Sequence, residues 1–348
     1  MRAFRSGPGS LVCLAAAALW LTTLGTLAAD PVADFYKGRT VTIVVTSQTG
    51  GGYDLLSRVI ARVLPAHLPG GPTVIVQNMA GAGGIVGANY VYTSAPKDGT
   101  VLGAPNNNVP FEPLFGTRQA TYDPTKFNWL GTPSVETAML TVWHSVPVTK
   151  WEDARTRELT MGSSGANSTP SFYARLMNET LGLKLKVIVG YQGQPAALLA
   201  MERGELDGYA SAFYSSLTST KPDWLRDRKV RMLVQMGPEK EMDIADVPFL
   251  LDLVGNAEDR KLVEAATAPL SAGRPYMFPP GVVVERVEAM RAAMAATFKA
   301  RAFVDEAARA GLDIRKPRSG ADVQELIARI YRETPPTLVE RLRRLNNP

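Results

Sequence analysis

The chain has 348 residues, of which 45% are hydrophobic and 20% charged, so its composition is that of a globular protein long enough for two packed domains. The formal net charge of +5 falls to +3 without Arg2 and Arg5, and the other basic residues are scattered, which argues against a nucleic-acid-binding protein. The two histidines, His67 and His144, have no cysteine or acidic residue at metal-ligand spacing, so we expect no metal and no other cofactor.

The N-terminal segment, residues 1–29, has the pattern of a secretory signal peptide. Two arginines precede an apolar run that ends at Leu27, and small residues follow it. An uncleaved membrane anchor is the alternative interpretation, although the apolar run is short for one. Cys13, the only cysteine, lies inside the run rather than after it, which argues against a lipid anchor there. We therefore expect an exported protein without disulfides whose mature chain starts near Ala29 or Asp30.

Strand and helix patterns alternate in the first part of the mature chain. A β-branched run at 41–45 predicts a buried strand, and apolar residues then recur at helical spacing over 55–64. Two further strands are predicted at 73–76 and 101–103, with a helix between them that includes 86–91.

The alternation continues to the C-terminus. The elements predicted there are strands at 159–161, 186–189, 206–209 and 230–234, and helices at 172–177, at 196–203 and from Val283 onward. In the last of these helices an apolar stripe indicates core packing, and its members are Val287, Met290, Met294 and Phe298. This order of elements predicts an α/β fold with largely parallel sheets, whose ligand would bind at the carboxyl ends of strands.

The glycine-rich loop after the first strand, TSQTGGGYD at 46–54, is the first candidate ligand site. It has no lysine of the kind that nucleoside-triphosphate loops use, and the sixth position from Gly50 is Leu55 instead of the glycine of a dinucleotide fingerprint. Asp54, which we predict as the helix N-cap, also disfavours a polyanion. Two interpretations remain: backbone N–H groups that bind a carboxylate-sized anion, or a tight turn without a ligand. The candidate binding residues are Gln48, Thr49, Gly51, Gly52, Tyr53 and Asp54.

A second loop, GSSGANSTP at 162–170, places hydroxyl and amide groups beside another predicted helix start. It departs from the nucleophile-elbow pattern because Ala166 follows Gly165, and no candidate base accompanies its serines. A serine hydrolase is therefore not expected, and we predict that the chain is not an enzyme. The candidate binding residues of this loop are Ser163, Ser164, Asn167 and Ser168.

Three further residues are candidates on weaker grounds. Asn107 lies in a run of three asparagines after the third strand, where it could contact a ligand or belong to a polar cap of the next helix. Asp207 could orient a polar group of the ligand or stabilise a loop. Phe213 could form a wall of the site, although aromatic residues are more often part of the core.

Six segments occur in an order that resembles one known family. They are GGGYD at 50–54, QNMAGAGG at 77–84, PKDGTVLG at 96–103, GSSGANST at 162–169, VGYQGQPAALLAMERGELDG at 189–208 and ADVPFLLDL at 245–253. Over nearly the whole mature chain, the sequence resembles the solute receptors of tripartite tricarboxylate transporters, also called the Bug receptors. It departs from the family at Tyr53, where threonine or serine is common, and at 169–170, where many members carry histidine.

The resemblance implies a type II periplasmic binding protein with two α/β lobes joined by a double-crossover hinge. The implied division is a signal peptide at 1–29, a first lobe formed by 30–130 and 231–348, and a second lobe at 131–230. Both candidate loops would then hold a carboxylate of the ligand, partly through ordered waters, and Asp207 would be an acidic residue of the other lobe.

The expected function is that of a monomeric periplasmic receptor. It would capture a small mono- or dicarboxylate and deliver it to the membrane permease of a tripartite tricarboxylate-type transporter. The alternatives are a receptor that reports its ligand to a signalling partner, and an enzyme built on the same two-lobed fold. No arginine falls inside either loop, so a second carboxylate of the ligand would be bound by Asn107, Tyr53 or water, and an amide or an aromatic acid is also open as the ligand.

Overall fold

The computed structural model describes residues 30–166, 168–191, 193–312 and 314–347, together with Met1 and Ala3. Apart from Met1 and Ala3, the predicted signal peptide at 1–29 lies outside the described part of the chain. No helix within the described ranges combines the length and the apolar character needed to cross a membrane.

Strands and helices alternate along the described chain, as the sequence predicts. The strands are β1 (Thr40–Val45), β2 (Thr73–Asn78), β3 (Val101–Ala104), β4 (Asn128–Thr132), β5 (Ala138–Trp143), β6 (Leu159–Ser163), β7 (Leu185–Val189), β8 (Gly208–Phe213), β9 (Val230–Met236), β10 (Tyr276–Phe278) and β11 (Arg318–Ser319). The helices are α1 (Pro31–Tyr36), α2 (Gly52–Val63), α3 (Ile85–Thr93), α4 (Thr169–Leu181), α5 (Gly193–Glu202), α6 (Tyr214–Thr220), α7 (Pro222–Arg226), α8 (Leu250–Leu253), α9 (Ala257–Ala272), α10 (Val284–Lys299), α11 (Arg301–Arg309), α12 (Gly320–Glu333) and α13 (Pro336–Asn346).

The strands form two sheets, which confirms the two-lobed α/β fold. The sheet of the first lobe has the order β11-β4-β10-β3-β1-β2, and that of the second lobe has the order β7-β6-β8-β5-β9. The prediction of largely parallel sheets is wrong. Strands β1, β2 and β3 are parallel, as are β6, β7 and β8, but β10 and β5 run antiparallel to both of their neighbours.

The two antiparallel strands, β5 and β10, have the same position in the topology. Each is the first strand after the chain crosses from the other sheet, and each is inserted beside the last of the three parallel strands. Strand β4 ends at the edge where β1 and β3 end, and β5 starts opposite Phe213, where β8 ends. Both lobes therefore present the carboxyl ends of their parallel strands toward the crossing segments.

The chain changes between the two sheets close to the predicted lobe boundaries, which stay a prediction. Residue 130 lies inside β4, which continues the first sheet to Thr132. Residue 231 lies inside β9, which pairs with β5 in the second sheet and extends to Met236. The chain thus leaves the first sheet at 133–137 and rejoins it at β10.

Apolar packing connects the elements within each lobe and joins the lobes to each other. The predicted stripe on α10 is confirmed, since Val287, Met290, Met294 and Phe298 are all buried. Between the lobes, the ring of Phe115, which follows β3, stacks on that of Phe172 of α4 with centroids 5.1 Å apart. Stacked aromatic pairs contribute about 0.5–1.5 kcal/mol beyond the burial of their area, so this pair favours contact between the lobes.

The two crossing segments contact each other at Gly273. Its φ is +64°, and a Cβ atom added to it would lie 1.8 Å from the Ser134 carbonyl oxygen, so only glycine fits. The next residue, Arg274, donates its backbone N–H to Thr132 Oγ1 at 2.9 Å, and that hydroxyl donates to Ser134 O at 2.8 Å. Glu136 N–H donates to Leu270 O at 3.0 Å. These contacts fix the crossing as a closely packed hinge.

Gly273→Ala is expected to lower the free energy of unfolding by about 3 kcal/mol or more, because it adds backbone strain to a steric clash. Gly182→Ala is the matched control, since Gly182 also has a positive φ, +69°, but open space around its Cβ position. The control should lose only about 1–2 kcal/mol. Urea unfolding of both variants measures the difference, and equal losses would show that the crossing is not sterically constrained.

Candidate functional site

The candidate site lies where the two lobes face the hinge. In the first lobe, the glycine loop follows β1 and the asparagine run follows β3. In the second lobe, the serine loop follows β6, and Phe213 ends β8. Open α/β sheets bind ligands at such carboxyl ends, so the topology itself brings the two predicted loops to one cleft.

The glycine loop ends in a helix start without a side-chain cap. Gly51 is the N-cap of α2 and makes no side-chain hydrogen bond, and the first intrahelical bond joins Leu55 N–H to Gly51 O. The N–H groups of the first turn are therefore available to an anion, which the helix dipole also favours. Gln48 and Thr49, which precede this turn, are exposed.

The prediction that Asp54 caps α2 is wrong. Asp54 is the third residue of the helix and is buried, and its carboxylate accepts hydrogen bonds from Gly50 N–H at 2.8 Å, Asn78 Nδ2 at 3.0 Å and Arg58 Nε at 3.0 Å. Burial by itself raises the pKa of Asp54. The hydrogen bonds and the charge of Arg58 together have the larger, opposite effect, so the pKa of Asp54 lies below its usual value. The carboxylate therefore holds the glycine loop in place, and Arg58 compensates its charge.

Tyr53 joins the glycine loop to the asparagine run. Its hydroxyl oxygen accepts a hydrogen bond from Asn107 N–H at 3.0 Å, and burial raises the pKa of Tyr53 to about 12, so the phenol is neutral at physiological pH. The Asn107 side chain is only 4% exposed, and its Nδ2 has no hydrogen-bond partner within the described ranges. Buried amide donors without a partner are rare in proteins, and a bound ligand or water is the usual explanation.

Arg274 is a residue of the site that the sequence analysis missed. It follows the crossing at Gly273, and its side chain reaches the glycine loop, where Nη1 lies 3.5 Å from Gly52 O and Cζ lies 5.5 Å from the centroid of the Tyr53 ring. Its Nε lies 2.9 Å from Glu136 Oε1, an ion pair whose side chains are 8% and 0% exposed. Burial lowers the pKa of Arg274, but the surrounding groups, Glu136 foremost and then Tyr53 and Tyr276, together raise it above its usual value, so the guanidinium is a permanent cation.

No local pattern in the sequence places Arg274 at the glycine loop. Gly52 and Arg274 are 222 positions apart, and nothing in the local pattern of either segment indicates that they meet.

Most hydroxyls of the serine loop bond to one another. The Ser163 hydroxyl lies 2.6 Å from Ser168 Oγ and 2.7 Å from Ser171 Oγ, and the Ser168 and Ser171 hydroxyls donate to Gly165 O at 2.9 and 2.6 Å. Ser163 and Ser168 therefore shape the loop, whereas Ser164 is exposed and makes no side-chain hydrogen bond to the described residues. Asn167 lies outside the described residues.

The start of α4 lies against the first lobe. Burial raises the pKa of Tyr173, in the first turns of α4, and proximity to Tyr53 of α2 raises it further. Thr169 and Tyr173 of the second lobe also share the lining of a small apolar cavity with Asn108 and Phe115 of the first lobe. Tyr173 is 1% exposed, and its hydroxyl has no partner among the described residues.

The structure separates Asp207 from the other candidates. Asp207 immediately precedes β8, at the amino ends of β6 and β8, one strand length away from the serine loop. Its Oδ2 accepts hydrogen bonds from Thr160 N–H and Thr160 Oγ1, both at 2.8 Å, which stabilises the strand entry. Phe213, in contrast, lies half-buried at the carboxyl end of β8, opposite Ala138 at the hinge.

Within the described ranges, no three side chains among histidine, cysteine, aspartate and glutamate come together in a way that could hold a metal ion.

Comparisons of the sequence identify relatives. A sequence model of the family described as "Tripartite tricarboxylate transporter family receptor" matches residues 56–337. A protein in the tcbD-tcbE intergenic region of Pseudomonas sp. (strain P51) is 27% identical over 255 residues, which are 70% of this chain and 70% of that protein. Protein BugT of Bordetella pertussis is 39% identical over 89 residues, or 26% of each chain.

Solved structures share the fold. A TctC solute binding protein from Polaromonas, without ligand, is 20% identical with a TM-score of 0.65 and covers 90% of this chain and 99% of its own. An R. palustris protein with adipate is 21% identical with a TM-score of 0.64, covering 88% and 97% of the two chains. MatC from Rhodopseudomonas palustris with bound malate is 19% identical with a TM-score of 0.62, covering 89% and 99%. The family match spans most of the sequence, and the chain therefore belongs to the tripartite tricarboxylate transporter receptor family.

Proposed function

We propose that this chain is a monomeric periplasmic receptor that binds a small mono- or dicarboxylate between its lobes and delivers it to the membrane permease of a tripartite tricarboxylate transporter. One observation carries the proposal: α2 and α4, which follow the glycine and serine loops of different lobes, both start without a side-chain cap. Family membership supports the transport role, and structural relatives with adipate and malate support a carboxylate ligand.

The chemistry of the cleft suits a carboxylate. The first turn of α2 supplies backbone N–H donors, and Asn107 Nδ2 is a buried donor without a partner among the described residues. Pro170 at the second position of α4 removes one backbone donor there, so side chains such as Ser164 must contribute to binding on the second lobe. Several donors of this kind share the charge of one carboxylate without a lysine or phosphate-binding loop.

The serine loop supports a binding role in preference to a catalytic one. Ser163 Oγ lies within hydrogen-bond distance of two other serine hydroxyls and of Gly165 O, and among the described residues no histidine or carboxylate takes part in this network. A serine nucleophile needs an adjacent base to become reactive. We therefore infer that the loop holds its ligand without chemical change.

A thermal-shift screen of organic acids tests the proposed function. We expect stabilisation by mono- or dicarboxylates with an apolar or aromatic body, such as adipate or benzoate, and little or none by citrate. The reason is that Tyr53 and Phe213, both half-buried, are the residues that we expect to give the cleft an apolar surface. An acid at about 100 times its dissociation constant stabilises by roughly 2.7 kcal/mol, which such a screen detects. If citrate gave the largest shift and the apolar acids gave none, the selectivity argument would be wrong. If no acid shifted the transition, the proposed function itself would be wrong.

Gly51→Val is expected to abolish binding of the acid that the screen selects, while the protein stays folded. Gly51 has an extended backbone that any residue adopts, φ −78° and ψ 166°, and its added Cβ would lie 3.5 Å from Gln48 O, an ordinary contact. The valine side chain would instead occupy the space at the helix start. Calorimetry that finds unchanged affinity would refute a ligand at this position.

Ser164→Ala and Ser163→Ala separate binding from loop structure. Ser164→Ala should weaken binding by roughly 1–2 kcal/mol, the value of one hydrogen bond to a charged group, and should leave the unfolding transition in place. Ser163→Ala should lower the unfolding transition, because it removes the centre of a buried hydroxyl network. Calorimetry measures the affinity of each variant for the ligand, and thermal unfolding measures its stability. Unchanged affinity in Ser164→Ala would show that the Ser164 hydroxyl does not contact the ligand.

A further inference from the structure

The guanidinium of Arg274 has donors that the protein leaves unused. An arginine side chain carries five N–H donors in a fixed plane. Nε lies 2.9 Å from Glu136 Oε1 but lacks the angles of a hydrogen bond, and the contact of Nη1 with Gly52 O, at 3.5 Å, is at the limit of one. Nη2 donates no hydrogen bond to the described residues. Since Arg274 is only 7% exposed, these donors are withdrawn from most of the solvent without receiving an acceptor.

The charge of Arg274 is compensated, but its hydrogen-bonding capacity is not. Glu136 supplies the opposite charge and is itself held by the Ser215 hydroxyl, which donates to Oε2 at 2.6 Å. Removal of one member of such a buried pair is costly, which explains why the two residues occur together at the hinge. The remaining N–H groups have no comparable explanation within the described part of the chain. An acceptor that enters the cleft would satisfy them.

The guanidinium lies directly against the uncapped start of α2. A Cβ atom added to Gly52 would be 3.0 Å from Nη1, 3.4 Å from Cζ and 3.5 Å from Nη2, so the absence of a side chain at Gly52 allows this approach. The Tyr53 ring flanks the same guanidinium, and the Tyr53 hydroxyl holds the backbone of Asn107. Two kinds of donor therefore lie next to each other at this helix start, the N–H groups of α2 and the guanidinium, and Tyr53 connects them to the segment that contains Asn107.

We infer that Arg274 is the specificity-determining residue of the cleft, which donates from its Nη atoms to the same ligand carboxylate that the first turn of α2 binds. The inference rests on the proposed function and adds a chemical selectivity to it. The free N–H groups of the helix start and the Nη atoms of Arg274 are donors, and a carboxylate offers two acceptor oxygens and a negative charge. A neutral amide would direct its own N–H groups against these donors. The cleft should therefore prefer an acid over the corresponding amide.

The test measures how strongly Arg274 contributes to this preference. The probes are adipate and adipamide, or, where another acid of the screen binds more tightly, that acid and its amide. The variant Arg274→Gln with Glu136→Gln removes both charges at once, so that no buried charge is left unpaired. Arg291→Gln is the matched control, since Arg291 lies on α10 of the same lobe, donates from Nε to Trp129 O at 2.9 Å and pairs with Glu288 at 2.8 Å.

Calorimetry of the three proteins should give a clear pattern. Wild type and Arg291→Gln should bind the acid at least about tenfold more tightly than its amide, as expected for a hydrogen bond between charged groups. The double variant should lose most of this preference, because its affinity for the acid falls while that for the amide changes little. A purely structural role of Arg274 would weaken the binding of both ligands and would not remove the preference for the acid over its amide.

A second variant keeps the test decisive if the double variant does not fold. Arg274→Lys retains the positive charge beside Glu136, but its compact ammonium cannot contact Glu136 and a ligand carboxylate in the same plane, so the preference for the acid should fall in this variant as well. If every folded variant kept the preference of wild type, the role of Arg274 would be overturned while the proposed function stood. If wild type bound no acid of the screen, both would be overturned.

Discussion

The crossing of two chain segments at Gly273 is the constraint on which the arrangement of the lobes depends. The missing side chain of Gly273 allows the segment that enters β10 to pass the carbonyl of Ser134 in the segment that enters β5. Each chain segment thereby enters its new sheet at the edge where the parallel strands end. The antiparallel direction of β5 and β10 follows from this, as does the position of both ligand loops beside the hinge.

The same crossing connects the fold to the chemistry of the cleft. Arg274 is the residue after Gly273, so the contacts at the hinge also fix the backbone of Arg274. From there its guanidinium reaches the start of α2. Its partner Glu136 lies on the other crossing segment. The cation of the cleft is therefore tied to both segments between the lobes, and a change in their relative position would move it with respect to the glycine loop. In the binding mode that we propose, the ligand and the hinge therefore depend on the same residues.

The sequence allowed prediction of the parallel strands and of the loops that follow them, because β-branched runs, glycines and helical periodicity are local signals. It did not reveal β4, β5 and β10 as strands, whose pairing depends on where the chain crosses between the lobes. Asp54 was misjudged as a cap because its partners include Asn78, which belongs to the next strand. Asp207 lies in one of the segments that resemble the family, but the direction of β8 puts it at the opposite end of the sheet from the serine loop. Arg274 could be assigned to the cleft only once the fold was known.

We propose that one carboxylate binds between the starts of α2 and α4 at the hinge. A crystal structure of the protein with the most tightly bound acid of the screen tests this claim most directly. We expect carboxylate oxygens within about 2.7–3.2 Å of backbone N–H groups in the first turn of α2 and of an Nη atom of Arg274. A ligand bound outside the two loops, or a carboxylate turned away from α2 toward solvent, would show that the carboxylate does not bind at this helix start.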